Sequence, residues 1–93
     1  MSIALSQPPE PDLAPLASLE PGATATIAYV DPDLPIGRRL LDLGFVPATE
    51  VRVLRRAPLG DPVEYELRGT RLCLRRTEAE RIWVRIAPAP DPA

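Results

Sequence analysis

Histidine, lysine and asparagine do not occur in this 93-residue chain, and cysteine occurs once. Without histidine and lysine, the commonest general base, the usual nitrogen ligand for transition metals and the Schiff-base amine are all missing. A zinc site wants clustered cysteine and histidine, which a single thiol cannot supply. The lone Cys73 also excludes an internal disulfide framework and fits a reducing compartment. Neither of the common glycine-rich phosphate loops is present, so nucleotide binding has no support. No apolar run approaches the ~20 residues needed to span a bilayer. The opening Met1-Ser2-Ile3-Ala4-Leu5 lacks the basic and apolar regions of a secretory signal, so a cytoplasmic protein is expected. No catalytic constellation remains. The expectation is a non-enzymatic chain with no cofactor and no metal ligands.

Charge is scarce in net terms. The formal balance is −2, although all eleven arginines fall between Ala17 and Ile86 with ten acids, which leaves that stretch at +1. Phosphate-driven binding needs a basic stripe, so nucleic acid is not an expected partner. Arginine as the sole cation reads as a compositional bias on a solvated surface more than as bidentate recognition.

What the chain does have is proline: thirteen of them, with 45% apolar and 26% charged residues. Interior proline breaks helices, which rules out a helical bundle, and the length allows one domain. Pro8, Pro9, Pro11 and Pro15 in front and Pro88, Pro90 and Pro92 behind mark residues 1–16 and 87–93 as disordered tails. The folded body is then 17–86.

Within that body, Leu16 to Gly22 reads as an apolar anchor closed by a Pro21-Gly22 turn. Thr24 to Val30 is rich in β-formers and predicts a strand. Ile36, Leu40 and Leu43 fall at i, i+4, i+7 opposite Arg38, Arg39 and Asp42, the pattern of a short amphipathic helix. Gly44 suits a left-handed cap, and Pro47 prevents continuation. The period then changes to two around Val51 and Val53, then Val63, Tyr65 and Leu67, then Leu72 and Leu74, then Ile82, Val84 and Ile86. Arg68-Gly69-Thr70 is a short hairpin loop. Thr77 to Glu80 has capping-box spacing and predicts one helical turn before the last strand. Five short strands should curl into a small barrel, because long exposed edges would aggregate.

The segments Leu19-Glu20-Pro21-Gly22, Arg38 to Pro47, Ala57-Pro58-Leu59-Gly60-Asp61-Pro62, Gly69 to Arg76, Glu78-Ala79 and Ile82-Trp83-Val84 together resemble the FeoA domain. The resemblance runs from about residue 16 to 86 in the family's order. It implies a mainly β fold, a small five-stranded SH3-like β-barrel with one short inserted α-helix. It implies a cytoplasmic accessory of bacterial ferrous iron uptake, whose partner is the FeoB-type transporter with its GTP-binding domain. Contact with the membrane would then run only through that partner, and transition metal ion binding is implied only as a family-level property. Similar domains end metal-dependent transcriptional repressors, so an alternative is a regulatory SH3-like domain acting in trans with such a repressor. An iron-handing chaperone is a third reading, disfavoured by the missing histidine and single cysteine. The oligomeric state is left open, a homo-oligomer included. Ala48 follows Pro47 where the family commonly has glycine, so a type I turn is expected there in place of type II.

Candidate partner-binding residues are Leu59, offered at the tip of the 57–62 loop, Arg38 and Arg39 on the helix, Arg55 and Arg56 before the loop, and Trp83. Trp83 points outward under strict alternation, although packing beneath the N-terminal segment is the stronger reading. Gly22, Gly44, Pro47, Pro58, Gly60, Asp61, Pro62 and Gly69 are expected to set turn geometry. Glu64 and Glu66 are expected to pair across strands with Arg71 and Arg75, and Cys73 to be inert.

Overall fold

The period-two segments pair as expected, and a further short strand joins them. The structure, a computed structural model, describes residues 12–86. In chain order the elements are β1 (Ala14–Pro15), a 3₁₀ turn (Leu16–Ser18), β2 (Thr24–Val30), α1 (Pro35–Asp42), β3 (Glu50–Arg56), β4 (Val63–Leu67), β5 (Thr70–Leu74), α2 (Arg76–Ala79) and β6 (Ile82–Ile86). All pair antiparallel in one sheet of order β1-β6-β2-β3-β4-β5. One core cluster collects Ile27, Val30, Val51, Val53, Val63, Tyr65, Leu67, Leu74, Ile82 and Val84 from five strands, with Leu16, Leu19, Leu40 and Phe45 from the connections. For one face of five strands to meet in a single cluster, the sheet must coil around it.

The sixth strand corrects the N-terminal boundary. Residues 12–16 belong to the fold: Ala14 and Pro15 pair with Val84 and Trp83, and Leu13 and Leu16 are buried. Burying the two leucines is worth roughly 3–6 kcal/mol together, the scale of the entropy lost in ordering about three residues. Pro15 tolerates the position because an edge strand does not need its N–H. The expected tails 1–11 and 87–93 lie outside the described residues.

Helix α1 starts with Pro35 at its first position, where the missing N–H costs nothing. It ends in a Schellman motif: Phe45 N–H donates to Leu40 C=O and Gly44 N–H to Leu41 C=O, both at 3.0 Å, with Gly44 at φ 112°. That reversal drops Phe45 into the core and leaves Leu43 39% exposed. Leu41 and Ile36 pack partly against the core instead of Leu43, because Leu43 is already the cap. Gly37 is buried in the helix, where a Cβ would collide with the Asp31 carbonyl.

Two turns of the same kind tie the loops to the sheet. Over 20–23, Ala23 N–H donates to Glu20 C=O (3.0 Å), with Pro21 then Gly22 at φ 92° in the middle. Over 46–49, Thr49 N–H donates to Val46 C=O (3.2 Å), with Pro47 then Ala48 at φ 73°. Both are type II, so the type I expectation at Ala48 is overturned. The reason is that Ala48 N–H and Thr49 C=O must both face Ile27, at 2.8 and 2.9 Å, and this pairing fixes the peptide orientation.

The capping box also sits elsewhere in frame. Arg75, not Thr77, precedes α2, and Glu78 accepts the Arg75 N–H at 2.8 Å. No helix among the described residues is long and apolar enough to cross a membrane.

Candidate docking face

The connection between β3 and β4 is braced from inside and outside. Gly60 N–H donates to Ala57 C=O (2.7 Å) to form the turn that carries Pro58 and Leu59, and Ala57 N–H donates to Pro62 C=O (2.9 Å) to close its base. Asp61 Oδ1 accepts the N–H of Arg76 at 2.9 Å, which ties the loop to the start of α2. Leu59 at the tip is 96% exposed, the most exposed large apolar side chain described.

Helix α2 then links this loop to α1. Glu78, held by the Arg75 N–H, accepts from the Arg39 guanidinium at 3.0 Å. The loop that carries Leu59 is therefore linked to α1 in series, by Asp61 to Arg76 and by Glu78 to Arg39, through the helical turn expected before the last strand. Its signal was available in Glu78, read two residues out of frame. The Arg38 side chain, next to Arg39, is exposed and makes no ion pair or hydrogen bond among the described residues. It lines an open groove of about 500 Å³ with Pro32, Asp33, Leu41 and Asp42.

Arg55 and Arg56 separate. The pairing of β3 with β4 shifts between Val53 and Arg55, so Leu54 is a bulge. Arg55 thereby reaches the outer face and binds Glu64 at 2.8 Å, a hydrogen bond and charge that raise its pKa. Arg56 turns to the rim, where it donates to the Leu19 carbonyl (3.0 Å) and pairs with Glu20 (3.3 Å). Glu64 thus pairs backward to β3, not forward to Arg71 or Arg75 as expected; Glu66 stands in register between Arg52 and Arg71. Both arginines line a second open groove of about 450 Å³ at the base of the loop, with Ala57, Pro58, Pro62, Glu64 and Cys73.

Trp83 is withdrawn as a binding candidate, and the burial expected as its stronger reading holds. It lies on the face opposite Ile82 and Val84, paired within the sheet with Pro15 of β1 on one side and Tyr29 of β2 on the other, and only 5% of it is exposed. It cannot present a ring to a partner. Beneath the loop, burial pushes the Tyr65 phenol up to about 12, with Arg56 pulling the other way and Asp61 adding to the rise. Among the described residues no three of His, Cys, Asp and Glu gather as a metal-holding group.

A coiled six-stranded antiparallel sheet with a short helix and one braced, apolar-tipped loop defines a small mainly β domain. The FeoA domain family matches residues 14–86, and the chain belongs to that family. The match begins at β1, in keeping with the revised boundary. A Fe(2+) transport protein A/Fe(2+) transporter FeoB fusion protein of Porphyromonas gingivalis is 35% identical over 71 residues, covering 76% of this chain; the matched segment is 8% of that relative's length. The FeoA protein of Chlorobium tepidum is 40% identical, with a TM-score of 0.74 over 85% of this chain and 75% of that one. The zinc-complexed FeoA of Stenotrophomonas maltophilia is 36% identical, with a TM-score of 0.66 over 74% and 86%, and is described as a prokaryotic SH3 domain protein suggested as a ferrous iron transport activating factor. The fold is SH3-like.

Proposed function

We propose that this chain is a cytoplasmic accessory of ferrous iron uptake that docks on the FeoB-type transporter and modulates its assembly, GTPase cycle or gating. The observation that carries the reading is the Porphyromonas gingivalis fusion, in which an FeoA-like segment and the transporter share one polypeptide. Covalent fusion holds two folds at high local concentration, which serves proteins that act together.

The docking surface takes in Leu59 on its loop and Arg38 and Arg39 on α1, with Arg39 tied to that loop through Glu78, α2 and Asp61. A leucine on a turn braced at both base and flank loses little entropy on binding. The Arg38 guanidinium is in no ion pair among the described residues and can meet a partner's carboxylate, whereas Arg39 is paired with Glu78. Arg55 and Arg56 support the groove at the loop's base through Glu64 and Leu19. To change turnover, docking must favour one transporter state over another, because equal affinity shifts nothing.

The test is calorimetric titration of the protein into the soluble GTP-binding domain of the cognate transporter, with GDP and with a non-hydrolysable GTP analogue. Binding that differs between nucleotides supports a state-sensing regulator. Leu59→Asp should weaken it about tenfold or more, the scale of a hot-spot residue. Unchanged binding by Leu59→Asp combined with Arg38→Ala would reject this surface.

A further inference from the structure

We propose that β5 is an association edge for a second copy of this chain, the two β5 strands running antiparallel about a two-fold axis at Leu72. The two edges of the sheet are built differently. β1 is two residues long, carries a proline and runs directly into a 3₁₀ turn, which blunts it. β5 is five residues long without proline, and among the described residues β4 is its only strand neighbour.

The hairpin fixes which of its backbone groups are available. Arg68 and Gly69, at φ 50° and 79°, form a two-residue loop that sets Leu67 opposite Thr70. In such a ladder Thr70, Leu72 and Leu74 turn N–H and C=O toward β4, and Arg71 and Cys73 turn theirs to the open side. The next N–H in that outward series, that of Arg75, is taken by Glu78. The available set is therefore Arg71 and Cys73, symmetric about Leu72.

That symmetry makes the edge complementary to itself. An axis at Leu72 puts Arg71 of each copy opposite Cys73 of the other, so four N–H···O=C bonds form and both residues are satisfied. The half-buried Leu72 meets its own copy. An axis at Arg71 would oppose two guanidiniums, and an axis at Cys73 would set Arg71 against Arg75; like charges directly opposite destabilise. On the outer face of the joined sheets the row reads Glu66 and Arg71 of one copy, then Cys73 and Glu64 of the other, so Arg71 keeps Glu66 beside it and meets the uncharged Cys73 across the junction. An isologous contact of this kind closes at two chains. Its small area makes it weak.

Sedimentation equilibrium of the full chain, from low micromolar to millimolar, should show the mass rising from one chain toward two. Arg71→Pro removes an N–H that the internal ladder does not use and should stay at one chain. Cys73→Arg, on an exposed position, sets arginine against Arg71 and should do the same. For register, Leu72→Cys in a Cys73→Ser background should oxidise to a cross-linked pair at least tenfold faster than Thr70→Cys in that background. A single chain at millimolar concentration, a pair that both edge variants leave intact, or equal cross-linking rates would overturn the proposal. So would a wild-type chain that stays single while a transporter fragment shields the Arg71 and Cys73 amides from hydrogen exchange, which would give the edge to another protein.

Discussion

Replacing Ala48 with glycine should stabilise this protein, although glycine normally weakens a fold. Ala48 holds φ at 73°, and its exposed methyl gives up almost no burial when removed. For an L-residue that left-handed conformation costs roughly 1–2 kcal/mol through the clash of Cβ with its own backbone. Glycine escapes the clash, and in exchange its freer unfolded chain takes back about 0.4–1 kcal/mol. The net gain is about 0.5–1 kcal/mol, which in a domain of this size raises Tm by roughly 3–6 °C. The backbone bonds to Ile27 survive, since they involve only main-chain atoms. The protein contains its own comparison, because the turn at Pro21 already places Gly22 at φ 92°. Gly22→Ala should therefore lose about what Ala48→Gly gains. Urea unfolding followed by the buried Trp83 reads both. A midpoint for Ala48→Gly at or below wild type would show that the turn is not type II and would refute the reasoning.

Three further predictions rest on separate parts of the fold. Gly37→Ala should destabilise by about 2 kcal/mol despite alanine's better helix propensity, because the added Cβ meets the Asp31 carbonyl and overpacking of that kind costs 1–3 kcal/mol; the urea midpoint reports it. Thr49→Val should stabilise by about 1 kcal/mol, because Thr49 Oγ1 is buried without a partner among the described residues and the isosteric swap removes that penalty; thermal unfolding reports it. Stability should hold up to the ordinary tyrosine pKa of 10 and fall as pH rises toward 12, since the folded state keeps the Tyr65 proton that the unfolded chain gives up. The loss approaches about 2–3 kcal/mol, and Tyr65→Phe should flatten the profile.

The strands were legible because alternation is a strong signal when one face is buried. Val63, Tyr65 and Leu67 read directly as core, and Gly44 with Pro47 read directly as the end of the helix. What was hidden depended on partners distant in sequence. Leu13 and Leu16 look like part of a proline-rich tail until β6 supplies the edge they cover. Ala48 looks like a residue that avoids positive φ until the two bonds to Ile27 leave it no alternative. Gly37 looks like a weak point in a helix until the Asp31 carbonyl occupies the space where its side chain would be.

The candidate site shows the same division more sharply, because pairing decides whether an arginine is available. Sequence placed Arg38, Arg39, Arg55 and Arg56 on equal terms. The bulge at Leu54 sends Arg55 to Glu64 and Arg56 to the Leu19 carbonyl, and no periodicity could have marked it, since one inserted residue leaves the composition of β3 unchanged. Arg39 is shared with Glu78, so of these four arginines Arg38 is the one whose side chain has no partner among the described residues. Trp83 leaves the list for a different reason: it is buried within the sheet, between Pro15 of β1 and Tyr29 of β2. Leu59 was readable from the start, because prolines and a glycine around one leucine define a support and a tip. The leucine has nothing within the fold to cover it. A docking surface centred on Leu59 and Arg38 is therefore narrower than the one the sequence suggested, and a double substitution there tests it with little risk to a core that neither side chain enters.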